Sequence, residues 1–278
     1  MKDVTYLLPC RIESEDRLRN VITSVSYILK TFPESKVLVK EVDTQSHFSE
    51  SALPRIKKYV GDTSQLKHIF EQNSEKLFHK TRILNDLCVA ADTPILYNHD
   101  VDVVVLKNSH ELAYRAITKE GSDAVYPFGC GIYQWAVTYS DILLDKFLSS
   151  HDGTDADYEV LKDAKVRIPS SIGWGQMITK SCEVSAGLWN EEFLSWGAED
   201  CEFYYRLNLF GFKVGRVIDD IYHFEHGRTF NSHYHNPKFQ DNDRLWNWIR
   251  TQDKESLTQY YGKLDYIKRR GKELNASL

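Results

Sequence analysis

No Cys-x-x-Cys pair occurs, and the five cysteines, Cys10, Cys88, Cys130, Cys182 and Cys201, are scattered and odd in number. That excludes a disulfide framework or a zinc ribbon and predicts reduced, mostly structural thiols in an intracellular setting. No stretch approaches the roughly 20 apolar residues of a membrane span, and the amino terminus enters a strand-like run without a signal sequence. The expectation is a cytoplasmic protein, attached at most peripherally to the inner face of a membrane. Positive charge is not in excess: 35 Lys and Arg stand against 40 Asp and Glu, a net charge of −5. Nucleic acid is therefore not an expected partner. Internal repeats and Pro/Gly/Ser linkers are also missing. The 278 residues are enough for one domain with a full core.

Aromatic residues are plentiful, with 16 Tyr, 13 Phe and 6 Trp. Such rings stack on sugar faces, although a Tyr-rich core accounts for them equally. Residues 4–8 form a short apolar run ended by Pro9, as a buried strand does. Residues 17–31 place apolar side chains at spacings of three and four, the mark of a helix packed on one face. Residues 36–42 alternate as a second strand running into Asp43, residues 76–91 resume helical spacing, and residues 95–97 lead as a strand into Asp100. Strand, helix, strand, helix, strand predicts an α/β fold with a mostly parallel sheet, whose ligands sit at the carboxyl ends of the strands. Beyond residue 105 the pattern is mixed: a helix over 109–118, a strand over 123–127 and a polar, loop-rich stretch over 140–170. The chain returns to order over 178–188, and a helix over 199–210 is stopped by Gly211. The parse is a catalytic domain over 1–240 and a C-terminal helical extension over 241–278, with the basic run Lys268-Arg269-Arg270 near its end.

Three clusters could carry chemistry. Asp100 and Asp102 follow an apolar run, and residues two apart in extended chain point the same way. Converging carboxylates repel unless a cation neutralises them, and hard oxygen ligands suit Mg²⁺ or Mn²⁺. A solvated Asp-x-Asp turn has the same spelling. Glu199 and Asp200 open a helix after Trp196-Gly197-Ala198. Helix capping needs only one carboxylate, whereas a carboxylate beside an indole is what a general base for a sugar hydroxyl requires. His223 and His226, three apart, could meet one cation from a single turn. His233 and His235 read as surface residues of the same aromatic loop.

Taken in order, His99-Asp100-Val101-Asp102, then Trp196-Gly197-Ala198-Glu199-Asp200 with Arg206-Leu207, then His223-x-x-His226 resemble the landmarks of the β-1,4-galactosyltransferases. Bacterial family-two glycosyltransferases and N-acetylgalactosaminyltransferase domains share them. Leu8-Pro9-Cys10-Arg11 resembles the family's first strand end, and the segment from Phe78 and Lys80 to Asn85 its nucleotide-contacting helix start. The matches span residues 4–228. The resemblance implies a GT-A fold, Rossmann-like with helices flanking the sheet. It also implies inverting transfer from a UDP-sugar, galactose or N-acetylgalactosamine favoured, to a glycan or lipid-linked glycan acceptor, with Mn²⁺ or Mg²⁺ as cofactor. By the same resemblance Asp102 and His226 would ligate the metal, with His223 at a third ligating position. Asp100 would lie against the nucleotide ribose, and Pro9, Arg11, Asp43, Phe78 and Lys80 would hold the nucleotide sugar. Asp200 would be the base, with Glu199 and Trp196 on the acceptor.

The chain departs from the family at three places. Glu13 stands where the galactosyltransferases have a second basic residue, Cys201-Glu202 where their acidic run continues, and His223 where they carry a sulfur ligand. A sugar nucleotidyltransferase would share the sheet but opens with a glycine-rich phosphate loop, and residues 9–13 contain no glycine. A non-catalytic carbohydrate-binding protein on the same fold is the other alternative. The basic end of the tail reads first as a solvated helix, and membrane contact, if there is any, would run through it to an anionic surface.

Overall fold

A computed structural model describes residues 1–274 apart from 155, 168–170 and 232–234. The chain runs β1 (Val4–Cys10), α1 (Glu15–Thr31), β2 (Lys36–Asp43), α2 (Leu53–Val60), β3 (Leu66–Gln72), α3 (Lys80–Ala90), β4 (Ile95–His99), β5 (Val103–Val105) and α4 (Lys107–Thr118). It continues through β6 (Ala124–Tyr126), β7 (Gln134–Val137), α5 (Asp141–Ser150), β8 (Lys165–Arg167), β9 (Gly175–Thr179), α6 (Lys180–Ser185) and α7 (Glu199–Phe210). Last come β10 (Val214–Arg216), β11 (Ile221–Phe224), α8 (Phe239–Ile249), α9 (Lys254–Tyr261) and α10 (Asp265–Leu274).

All seven residues of β1 are buried, because the strand lies inside a seven-stranded sheet of order β10-β6-β9-β4-β1-β2-β3. β1 pairs in parallel with β2 and β4, and β2 with β3. Continuous apolar spelling is what a strand covered on both faces requires. β9 runs antiparallel between β4 and β6. The predicted α/β architecture is therefore present, and the parallel register brings the residues after β1, β2 and β4 to one edge of the sheet. A second sheet, β5-β11-β7-β8, stands beside it.

Two segments differ from their sequence reading. The polar stretch before residue 76 contains α2 and the edge strand β3, whose residues alternate between half-buried and exposed. Polar residues on both faces, Lys67 and Gln72 exposed and His68 and Glu71 half-buried, hide the strand's period, while Lys40 of β2 lies 2.7 Å from Glu71 of β3 and 2.6 Å from Asp86 of α3. The 140–170 stretch is not a long loop. Ser140 caps α5 by accepting from the Leu143 N–H, and Leu144, Phe147 and Leu148 are buried. The Lys30 ammonium of α1 donates to the Leu148 and His151 carbonyls at 2.8 Å. The remaining polar residues of α5 form its solvent face. Residue 155, inside the stretch expected to be least ordered, and His233 lie outside the described residues, while His235 is exposed.

The three terminal helices close over α7 with Phe193, Ile249, Leu257, Tyr261, Tyr266 and Ile267 forming a separate apolar cluster. The basic run near the end faces inward in part. Arg270 is buried, 2.6 Å from Asp86 and 2.9 Å from Glu191, and Arg269 pairs with Glu191 at 2.5 Å. Two of the three cations of that run therefore tie α10 to the body of the protein. No helix among the described residues is long and apolar enough to cross a membrane.

Beneath this cluster lies a fully buried ion pair. Arg206 donates to both Glu202 oxygens, at 2.7 and 3.0 Å, and to the Ala186 carbonyl, while the Tyr261 hydroxyl donates to Glu202. Replacing the guanidinium leaves a buried carboxylate without its counter-charge. Arg206→Met is expected to cost about 3–5 kcal/mol, measured by chemical denaturation. A loss below about 1 kcal/mol, the scale of an exposed pair, would show that the pair does not anchor the terminal helices.

Candidate active site and metal centre

The turn between β4 and β5 carries Asp100, Val101 and Asp102. β5 pairs antiparallel with β11, placing His223 opposite Val103, and the Phe224 N–H donates to the Asp102 carbonyl at 2.8 Å. This pairing, not a single turn as expected from the His-x-x-His spacing, brings both histidines to Asp102. The Nε2 atoms of His223 and His226 lie 3.7 and 3.2 Å from Asp102 Oδ2. On the far side of each ring Nδ1 meets an acceptor, Glu225 Oε1 at 2.9 Å and the Gly227 carbonyl at 3.0 Å. Those acceptors favour a proton on Nδ1 and leave Nε2 free to ligate.

The residues fit a divalent cation. Ligand atoms of Asp102, His223 and His226 all lie within 4.8 Å of one another, and Asp102 Oδ1 is buried without a protein partner. Two imidazoles with one carboxylate suit a transition ion such as Mn²⁺ better than Mg²⁺, which takes oxygen ligands and keeps its waters. Burial alone raises the pKa of Asp102, but the charge of His223 and the hydrogen bond and charge of His226 outweigh it and hold the carboxyl far below its ordinary value.

The second acidic pair sits across the cavity. α7 starts at Glu199 after Ala198, which has φ +63°, and the Glu199 carboxylate accepts from the Gly197 N–H at 3.0 Å. Glu199 thus fastens the turn that presents Asp200. The Lys80 ammonium stands 3.0 Å from Asp100 Oδ1, 3.6 Å from Asp200 Oδ1 and 3.7 Å from Glu199 Oε1. Burial pushes the Asp200 carboxyl up, Lys80 opposes, and the Glu199 and Asp100 charges add, leaving it at about 7. A carboxyl poised there can take a proton at neutral pH.

Asp100, Asp102, Glu199, Asp200, His223 and His226 line one cavity of about 200 Å³, together with Pro9, Arg11, Phe78, Lys80 and Trp196. Of the predicted site residues only Asp43 lies elsewhere. It lines a larger neighbouring cavity of about 790 Å³, which shares Arg11, Glu13 and Asn231 with the first. Arg11 is committed locally, donating to the Val42 and Lys76 carbonyls at 2.8 and 2.9 Å over the Phe78 ring. Lys80 lines the cavity among the Asp100, Glu199 and Asp200 carboxylates. Trp196 is 41% exposed and stacks on Phe239 at 5.7 Å.

Several lining residues escaped the sequence reading. Trp174 stacks on His223 at 5.4 Å, and its carbonyl accepts from the Asp100 N–H at 3.0 Å. It has φ +85°, and Ser195 has φ +60°, a backbone strain that clusters at functional sites. The Gly173-Trp174-Gly175 tripeptide was the available signal, since its Trp-Gly step repeats that of Trp196-Gly197. Asn231 accepts from the Phe78 N–H at 2.8 Å and donates to Glu13 at 2.8 Å. Glu13 also accepts from Thr229 at 2.9 Å. The acidic departure at position 13 therefore holds the loop that follows His226. Glu202, the other acidic departure, is buried on Arg206 and does not face the cavity.

The sequence matches no protein-family model and no curated protein. Its structure is similar to solved glycosyltransferases. A mannosyltransferase from Pyrobaculum calidifontis, in complex with GDP-Man and Mn²⁺, superposes with a TM-score of 0.54 at 13% identity over 99% of this chain and 72% of the other. GalNAc-T7 with UDP, GalNAc and Mn²⁺ gives 0.59 at 13% identity over 98% of this chain and 55% of the other. The catalytic domain of Drosophila β1,4-galactosyltransferase 7, complexed with xylobiose, gives 0.50 at 14% identity over 90% and 80%. The chain has the GT-A glycosyltransferase fold.

Burial pulls the His223 imidazolium down, but the Asp102 charge and then Glu225 raise its pKa above the ordinary value. Protons therefore compete with a metal for the same nitrogen. Mn²⁺ affinity, followed by isothermal titration calorimetry, is expected to fall steadily from about pH 8 to pH 5.5 and to vanish in Asp102→Asn. Equal affinity at both pH values, or unchanged binding in Asp102→Asn, would remove these residues from a metal site.

Proposed function

We propose that this protein is an inverting, Mn²⁺-dependent glycosyltransferase that moves a hexose from a UDP-sugar to a glycan or lipid-linked glycan hydroxyl. The catalytic part is residues 1–240, with residues 241–278 as an extension whose helices α8, α9 and α10 brace α7. The observation that carries the reading is the union, in one cavity, of the Asp102, His223 and His226 cluster with an Asp200 carboxyl raised to about 7. Galactose and N-acetylgalactosamine are the favoured sugars, by the resemblance of the motifs.

The cavities follow the order of the donor's parts. The larger one, with Arg11 and Asp43, offers room for the nucleoside. The diphosphate falls beside Asp102, His223 and His226, and Trp196 lines the same cavity on the acceptor's side. When bound, Mn²⁺ supplies positive charge that stabilises the negative charge of the departing UDP. Asp200 takes the proton of the acceptor hydroxyl, whose oxygen forms the new bond to the anomeric carbon. The bond from that carbon to the β-phosphate oxygen breaks, and its electron pair leaves with UDP. Attack opposite the leaving group inverts the centre. Lys80 keeps Asp100 and Asp200 together without their mutual repulsion.

Two measurements test the base. With UDP-galactose and Mn²⁺, kcat/KM for donor turnover is expected to rise with pH through about 7, because Asp200 must lose its proton to act. Asp200→Asn should abolish that rise and lower turnover by about two to four orders of magnitude, with UDP binding kept. Full activity in this variant would overturn the assignment.

Gly173 provides a subtler test. A Cβ at that position would lie 2.2 Å from Asp200 Oδ2, so Gly173→Ala must rotate the carboxylate. A fall of about 10²-fold in turnover is expected from a displacement on the order of 1 Å, with thermal stability and Mn²⁺ binding close to those of the parent. Undiminished turnover would show that Asp200 need not be held where it is.

A further inference from the structure

A small recess of about 20 Å³ opens from the metal cavity, sharing Lys80, Asp100, Trp174 and Asp200 with it. Asn98, Gln176 and Trp189 also line it. Asn98 of β4 and Gln176 of β9 are register partners, so their side chains stand side by side on one face of the sheet. Asn98 donates its amide N–H to Glu183 at 2.8 Å, and Gln176 donates its own to the Tyr126 hydroxyl at 2.8 Å. Trp189 stacks on Phe203 at 4.3 Å. All three are at most 4% exposed. Each nevertheless keeps one buried polar atom without a protein partner: Asn98 Oδ1, Gln176 Oε1 and the Trp189 indole nitrogen.

Buried polar groups are paired in native proteins, and each one left over calls for an explanation. Two amide oxygens accept and one indole N–H donates. A neutral hydroxyl answers one amide and the indole together, because it donates its single proton to one of the two neighbouring amide oxygens and accepts the indole N–H through a lone pair. A phosphate or carboxylate oxygen has no proton for the amides, and an ammonium has no lone pair for the indole. The recess has room for one water-sized group and none for an acetamido substituent. Its mouth is bordered by Asp100 and Asp200, between which the proposed reaction places the transferred sugar.

We infer that Asn98, Gln176 and Trp189 read one free hydroxyl of the donor's sugar ring, and so determine which sugar is transferred. The inference rests on the proposed function and names the substrate feature that the site selects. A site built to hydrogen-bond a hydroxyl rejects an analogue lacking it by about 10⁴-fold, because its buried groups are then left unpaired. A structural water in the recess would impose no such selection.

The test uses the full chain with Mn²⁺ and whichever of UDP-galactose, UDP-glucose and UDP-N-acetylgalactosamine it hydrolyses fastest, then analogues of that donor with each free sugar hydroxyl removed in turn. One deoxy analogue is expected to lose about 10⁴-fold in kcat/KM while the others lose far less. Trp189→Phe, which removes only the indole N–H from a stacked ring, and Gln176→Leu should each shrink that one penalty by at least tenfold. Melting curves of both variants report their folding, and the analogue series on the parent chain depends on neither variant. A flat deoxy profile, or a penalty that neither folded variant reduces, would overturn the inference while leaving the glycosyltransferase reading intact. Failure of every UDP-sugar to bind in the presence of Mn²⁺ would overturn both.

Discussion

The ammonium of Lys80 is the contact on which the arrangement of the site depends. It lies within 3.7 Å of carboxylates from two separate parts of the chain, Asp100 after β4 and the Glu199-Asp200 pair at the head of α7. Three carboxylates gathered around a partly dry cavity would repel one another strongly, since charge interactions grow as water is removed. One cation at the start of α3 offsets that repulsion and joins the turn after β4 to the start of α7. Its own pKa shows the balance: burial acts to lower it, and the three acidic neighbours raise it well above the ordinary value. The compensation is incomplete at Asp200, which keeps the raised pKa of a buried acid among acids.

Backbone strain surrounds this electrostatic centre. Trp174, Ser195 and Ala198 all adopt positive φ without being glycine, and all three flank the carboxylates. Such conformations persist only when the surroundings over-determine them. Here the surroundings are identifiable: the Trp174 carbonyl holds the Asp100 N–H, the Ser195 hydroxyl donates to the Asn231 carbonyl at 2.9 Å, and Glu199 receives the Gly197 N–H. Gly173 completes the set by leaving space that a methyl group would deny Asp200. The loops around the cavity are thus fixed by specific contacts and not by regular secondary structure.

Much of the first half of the fold was legible, because buried parallel strands spell as apolar runs and α1 as spacings of three and four. β3 was hidden since polar residues fall on both of its faces, and α5 because its buried Leu144, Phe147 and Leu148 are diluted by polar neighbours. In the site, Asp100 with Asp102 and Glu199 with Asp200 stood out as local spellings at a strand end and a helix start. The meeting of His223 and His226 was expected from their spacing and their union with Asp102 from the family resemblance, yet it arises from β11 pairing with β5, more than a hundred residues apart in sequence. Asn231 and Gln176 carried no comparable signal, since each matters through a partner distant in the chain.

The sequence by itself determined the chemical groups, the start of the helix that presents Asp200, and the parallel strands whose ends collect the acidic turn. These follow from backbone propensity and near-neighbour patterning, which act within a few residues. Only the tertiary structure decided what the groups became. It placed Lys80 among three carboxylates, set Asp102 against two imidazoles, raised Asp200 toward neutrality, and left Asn98, Gln176 and Trp189 with buried atoms facing no partner. Burial and charge proximity cause all four effects, and both are properties of packing between segments that the chain order keeps far apart.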